Sequence, residues 1–450
     1  LRPGITCAAI TTAAAATLAD LAQALRDRGV EPRAVAHFLD RIVFCLFAED
    51  IRLLPEGMFS DILRATKDEP DMFARYLSDL FAAMAVGGHV LLKRIPHFNG
   101  SLFDDAETIP LTAAELQRLH QVAALDWSAI DPSIFGTLFE RGLDPAKRSQ
   151  LGAHYTSRED IETLVEPVVL APLRREWDET RSVAEALLAT GTKTPGPAVA
   201  LTPPKRRKAL AEARLLVQRF VARLAAVTVL DPACGSGNFL YVTLQKLKDL
   251  EKEVYVFAND RLQDTFLPTV GPWQSHGIEV NPYAHDLAQM TVWIGYLQWT
   301  RANGFSIAQD PVLKPMPGNF QCRDAILDLS DPGHPCEPDW PKVEFIVGNP
   351  PFLGGKLLRR ELTDGYVDQL FAPWSDRVPR EADLCCYWFE KARAHMVAGG
   401  CRRAGLLATQ GIRGGANRKV LERINETGGI FFAESDRLWV LDGANVHVSM

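Results

Sequence analysis

Thr228-Val-Leu-Asp-Pro-Ala-Cys-Gly-Ser-Gly-Asn-Phe-Leu240 decides the fold class of this chain. A short apolar run ends in an acid, a glycine-rich turn follows, and apolar residues then resume at helical spacing. The pattern predicts a strand, a tight turn and a helix start, with Asp231 at the carboxyl end of the strand, where open α/β sheets bind ligands. Gly235 and Gly237 let the backbone turn sharply and approach a ligand without a Cβ in the way. Dinucleotide enzymes also use such glycines, but here the acid precedes them. The arrangement suits a ligand carrying an amino group and a sulfonium better than a pyrophosphate.

Working outward, further short apolar runs alternate with helical patterns: Gly277-Ile-Glu-Val280, Phe345-Ile-Val347, Ala404-Gly-Leu-Leu-Ala408 and Ile430-Phe-Phe-Ala433. They predict a largely parallel sheet covered by helices on both faces. Several runs end in residues that bind ligands. Glu279 is placed to accept paired ribose hydroxyls, and Asp324 is a candidate acceptor for an adenine amino group. Gly348-Asn349-Pro350-Pro351-Phe352 is a stiff turn that presents oxygens rather than N–H groups, because two prolines remove two donors. Phe352 adds a face on which a planar base can stack. Upstream, Ser157 and Asp160 fit the N-cap and N3 pattern of a helix start. Such a start offers free N–H groups to a carboxylate.

Residues 12 to about 125 read differently. Phe38, Leu39, Ile42, Val43, Leu46 and Phe47 recur at helical spacing, as do Phe73, Leu77, Leu80, Phe81 and Met84. A helical region over 1–125 and an α/β region over 126–450 are therefore expected. A loop is expected around Ile95–Phe103, and Thr194–Pro204 reads as a surface insertion followed by the basic run Lys205-Arg-Arg-Lys208.

The 450 residues are 47% hydrophobic and 23% charged, with a net charge of −7 and a pI of about 5.9. That balance excludes nucleic-acid binding by bulk charge and leaves room for a local basic cleft. The eight cysteines show neither a CxxC pair nor zinc spacing, and read as reduced thiols of a cytoplasmic protein with no metal site. No run of 18 apolar residues is present, so no membrane span is expected.

DPACGSGNFL, GIEVNP and GNPPF resemble motifs I, II and IV of amino-methylating DNA methyltransferases, and Gly152-Ala-His-Tyr-Thr-Ser157 resembles motif X. Motif X ahead of motif I is similar to the γ-class adenine-N6 order. Phe44–Asp50, Pro96–Phe103, Ile134–Glu140 and Asp442–Met450 further resemble the MmeI-like (type IIL) restriction–modification enzymes, over nearly the whole chain. The resemblance implies a Rossmann-like class I methyltransferase sheet behind an all-α helical spacer, with S-adenosylmethionine as cofactor. It implies double-stranded DNA with a flipped-out adenine as substrate. It assigns the reaction to Asn349, Pro350, Pro351 and Phe352, and cofactor binding to Tyr155, Thr156, Asp231, Ala233, Gly235, Gly237, Glu279 and Asp324. The same resemblance implies a nuclease before the spacer and a target-recognition region after the catalytic domain, in the full-length chain or a partner subunit. The acid-x-Lys pattern of such a nuclease is not found, since no Asp or Glu has Lys two positions later.

Three readings stay open on the residues alone. N4 of cytosine presents the same exocyclic amine as N6 of adenine. Protein-glutamine N5 methyltransferases use a similar Asn-Pro-Pro-aromatic turn. A cofactor-binding DNA-recognition or scaffold subunit without turnover would carry the same motifs.

Overall fold

A computed structural model describes residues 7–98, 101–133, 136, 156–305, 313, 316, 318–331, 333–435, 437–441 and 444–449. The chain falls into two compact units. One comprises residues 1–155, 235–238 and 281–320, the other residues 156–234, 239–280 and 321–450. The expected boundary at 125/126 falls inside the first.

The first unit is helical. Helix Pro32–Asp50 starts where Glu31 accepts from the Ala34 N–H at 2.8 Å and proline occupies the first turn. Helix Pro70–Val86 ends at Gly87, whose φ of +80° stops it. Their expected apolar stripes are both buried, and Phe44 meets the rings of Phe98 and Phe103 at 5.4 and 5.6 Å. Burial of each such side chain contributes roughly 1.5–3 kcal/mol.

Between these aromatics the sequence hid a hairpin. β1 (Gly88–Val90) pairs antiparallel with β2 (Lys93–Ile95) through Leu91 and Leu92, at φ of +46° and +64°. Left-handed turns of this kind normally announce themselves by Asn-Gly or Asp-Gly, and two leucines give no such signal.

The second unit carries the sheet: β3 (Val229–Asp231), β4 (Ser275–Glu279), β5 (Phe320–Cys322), β6 (Phe345–Gly348) and β7 (Arg403–Leu406), in spatial order β5-β4-β3-β6-β7. β3 runs parallel to β4 and β6, and β6 parallel to β7. This is the doubly wound order expected from the alternating pattern, and the order reverses between β3 and β6. Ligands of open α/β sheets bind beyond the carboxyl ends of the strands at that reversal. Leu230, Ile278, Ile346 and Leu406 form one buried cluster with Trp374, Tyr387 and Trp388 from the covering helices.

One expectation is corrected. Ile430–Ala433 is not a strand; Ile430 and Phe431 are exposed, and the Phe431 ring takes the Arg403 guanidinium at 4.7 Å. An apolar run of four residues specifies a strand only if a partner edge meets it. Here Ala408–Thr409 pairs instead with a later hairpin, Arg437–Leu441 and Ala444–Ser449. The basic stretch after Phe352 is helical. Gly355–Leu357 and Leu358–Leu362 are short helices, and Arg359 is paired with Asp364 and Asp368. Residues 191–200 are exposed throughout, and Lys205–Lys208 lies exposed in the first turns of helix Pro203–Ala225. Among the described residues no helix is long and apolar enough to cross a membrane.

Candidate active site

Two adjacent strand ends build the site. β3 delivers Asp231, which is 1% exposed and whose Oδ1 accepts from the Ala233 N–H at 3.0 Å. One N–H donor is little for a buried carboxylate. Burial, aided by the charge of Glu279 and opposed by the Ala233 hydrogen bond, pushes its pKa up to about 8. β6 delivers Gly348 and, directly after it, Asn349. The two ends approach so closely that a Cβ on Gly348 would stand 2.5 Å from Asp231 Oδ1. Gly348→Ala is therefore expected to displace β6 and destabilise the unit by about 1–3 kcal/mol, seen as a lower midpoint in chemical denaturation. An unchanged midpoint would show that the strand ends are free to part.

Asn349 is oriented by a residue from far upstream in the chain. Its Nδ2 donates to Thr156 Oγ1 at 3.1 Å, and its Oδ1 is buried with no hydrogen-bond partner. An unsatisfied buried acceptor costs about 1–3 kcal/mol. It is a standing invitation to an N–H donor from a ligand. Pro350 is buried, and Phe352 packs partly against the core beneath the turn. Thr156 itself is buried, just ahead of helix Arg158–Val165, where Ser157 Oγ accepts from the Asp160 N–H at 3.2 Å as the capping pattern predicted.

Glu279 ends β4 and is half-buried; its carbonyl accepts from the Arg323 N–H at 3.0 Å, which ties β4 to the segment bearing Asp324. Asp324 Oδ1 accepts from the N–H groups of Ile326 and Leu327, and Oδ2 accepts from the Tyr366 hydroxyl at 2.6 Å. Asp324 thus enters any ligand contact already held by three donors, with lone pairs to spare. Trp388, on helix Cys385–Val397, donates from Nε1 to the Pro232 carbonyl at 2.9 Å and braces the turn after Asp231. Gly235 and Gly237 follow in the chain, with φ of +50° and +86°, and belong to the first unit. Tyr155 lies outside the described residues, as do most of Ile134–Glu140.

Sequence reasoning missed Tyr366 and Asn417, whose partners stand 42 and 34 residues away. No local pattern marks either. An apolar groove of about 490 Å³ against β7, lined by Leu164, Val168, Phe389, Phe431 and Phe432 among others, contains none of the candidate residues. Arg393, Arg402, Arg403, Arg413 and Glu434 also line it, but it holds no acid or amide from the strand ends that the sequence singles out.

The family description "MmeI, DNA-methyltransferase domain" matches residues 206–449, more than half of the chain. The chain belongs to the MmeI DNA-methyltransferase family. A second description, the MmeI helicase spacer domain, matches residues 33–103, in the helical unit. The solved type IIL restriction–modification enzyme MmeI in complex with DNA superposes with a TM-score of 0.73 at 25% identity, over 97% of this chain and 56% of that one. DNA methyltransferase A of Bacillus subtilis (strain 168) is 27% identical over 342 residues, 73% of this chain and 35% of that protein. A putative type II restriction enzyme and methyltransferase of Methanocaldococcus jannaschii is 23% identical over 343 residues, 65% of this chain and 27% of that protein. The chain thus spans about a third of the length of these curated relatives.

DNA methyltransferases of the MmeI family take the methyl group from S-adenosylmethionine. The residues present fit that cofactor: the under-bonded buried carboxylate of Asp231 suits an ammonium, and Glu279 and Asp324 bring further acceptors at neighbouring strand ends.

Proposed function

We propose that this chain carries the methyl-transfer centre of an MmeI-like restriction–modification protein and methylates the N6 amino group of adenine in double-stranded DNA. The observation that carries the reading is the buried, unpartnered Oδ1 of Asn349, whose Nδ2 donates to Thr156 Oγ1. An amine that donates to this oxygen is drawn toward tetrahedral geometry, and its lone pair is freed from the ring. The target base leaves the duplex to reach such a site, costing a few kcal/mol of stacking and pairing. Phe352 recovers about 1–3 kcal/mol of that by stacking.

Bound S-adenosylmethionine supplies an already electrophilic methyl carbon. Asp231, Ala233, Glu279, Asp324 and the helix start at Thr156 hold the cofactor. No covalent nucleophile takes part. The protein contributes alignment, which for two bound reactants supplies roughly 7–11 kcal/mol. We place the reaction in the cytoplasm, with the cell's DNA, and assign no cleavage to this chain.

The test is transfer from labelled S-adenosylmethionine to unmethylated DNA by the full-length protein, followed by nucleoside analysis. Label in N6-methyladenine is expected. Label in N4-methylcytosine or in protein would overturn the choice of acceptor, and no transfer despite cofactor binding would mark a silent recognition subunit.

The hydroxyl of Thr156 serves Asn349 rather than the cofactor in this reading. Thr156→Val keeps the shape and removes the acceptor for Nδ2, so kcat is expected to fall about tenfold with the cofactor Kd within about twofold. Thr156→Ser should retain most activity. A raised Kd with kcat intact would return that hydroxyl to the cofactor site.

A further inference from the structure

The turn Asn349-Pro350-Pro351-Phe352 is strung between two fixed points. At its start the Gly348 carbonyl accepts from the Leu407 N–H at 3.1 Å, as part of the sheet. Past its end the Leu353 carbonyl accepts from the Leu384 N–H at 2.8 Å, and the Gly355 N–H donates to Asp383 Oδ1 at 2.9 Å. A Cβ on Gly355 would overlap the Glu381 carbonyl, so this seat is cut to glycine.

Asp383 is itself gripped by Asn417. Asn417 Nδ2 donates to Asp383 Oδ2 at 2.7 Å, and the Asp383 N–H donates to Asn417 Oδ1 at 2.8 Å. The same Nδ2 donates to the Gly411 carbonyl at 3.1 Å. Asn417 is only 7% exposed, so water does not readily take its place. Standing just before helix Arg418–Thr427, it would ordinarily cap that helix, yet its side chain makes no cap bond. The side chain is committed to Asp383 instead.

The geometry points to Asp383 and Asn417 as a latch of positioning residues for methyl transfer: they set where Phe352 and, through the two stiff prolines, Asn349 stand. Neither touches the base or the methyl group. The inference rests on Asn349–Phe352 being the catalytic turn. Two prolines transmit displacement because their φ angles are fixed, leaving few torsions to absorb a shift at Leu353 or Gly355. A misplacement of 1 Å at a reacting group can cost about a hundredfold in rate.

The experiment compares Asp383→Asn, Asn417→Asp and the double exchange in the full-length protein on unmethylated DNA of mixed sequence. Asp383→Asn replaces a charged acceptor by a neutral amide of equal shape. Asn417→Asp sets two carboxylates face to face. The double exchange restores a donor opposite an acceptor, with Gly411 alone losing its partner.

Each single variant is expected to lose about 10- to 100-fold in kcat, with the calorimetric Kd for S-adenosylmethionine within about twofold and an ordinary thermal transition retained. The double exchange should recover at least about tenfold over Asn417→Asp. Single variants with wild-type kcat would overturn the latch, as would a double exchange no faster than the singles or a Kd that weakens in step with kcat. Asn349→Ala, measured alongside, separates the two levels. If it is inactive while the latch variants are normal, the latch alone fails; if it turns over normally, the assignment of the turn fails.

Discussion

Asn349→Ala is expected to lower methyl transfer by at least about 10²–10³-fold while leaving the affinity for S-adenosylmethionine within about twofold of wild type. The size follows from what is removed: one preorganised polar group aimed at charge developing on the reacting nitrogen, an effect worth about 2.7–4 kcal/mol at comparable sites. The split between kcat and Kd follows from placement. Asn349 follows β6, bonds to Thr156 and keeps a buried oxygen without a partner, whereas Asp231 and Glu279 sit on β3 and β4. Asn349→Asp sharpens the point. A carboxylate still accepts from an amine and takes a hydrogen bond from the Thr156 hydroxyl, so it should fall far less than Ala. Equal losses in the Ala and Asp variants, or near-normal turnover in Ala, would show that acceptance of a hydrogen bond here does not drive the reaction.

The parts of this site legible in the sequence are those in which one short stretch contains both the structure and the chemistry. Thr228–Leu240 holds a strand, its terminal acid and the turn, and the strand appears as Val229–Asp231. Phe345–Phe352 holds a strand and its rigid turn in the same way. Ser157 and Asp160 announced a helix start because capping is a local affair. What stayed hidden depends on partners distant along the chain. The bond from Asn349 to Thr156 spans 193 residues, and that from Tyr366 to Asp324 spans 42. Asn417 was more than hidden. Its position before a helix suggests a cap, and only tertiary structure reveals that it is spent on Asp383. Ile430–Ala433 failed for the converse reason, since an apolar run says nothing about which edge is free to receive it.

Asp231 carries the other large effect, and its sign is fixed by burial. In the cofactor-free fold its carboxyl holds a proton up to about pH 8, whereas in the unfolded chain it sheds it near the ordinary value of about 3.9. The folded state therefore binds the extra proton between these limits, and Asp231 increasingly opposes folding as pH rises through that window. A bound ammonium reverses the preference by favouring the ionised carboxylate. S-adenosylmethionine affinity should then climb about tenfold per unit from pH 5 to 7 and level near pH 8. Above that it should fall as the ligand's own α-amino group, ordinarily near 7.7–8.0, loses its proton. Asp231→Asn is expected to erase the rising limb and weaken binding about a hundredfold at pH 8. The same substitution should raise the thermal midpoint of the cofactor-free protein there, because it removes a charge that folding must bury. Calorimetric titration across pH 5–9, paired with melting curves of both proteins, reads the two effects separately. Parallel pH profiles for wild type and Asp231→Asn would place the ammonium elsewhere. A lower midpoint in the variant would mean that the ionised carboxylate supports the fold, and that a donor from the protein rather than from the cofactor is its partner.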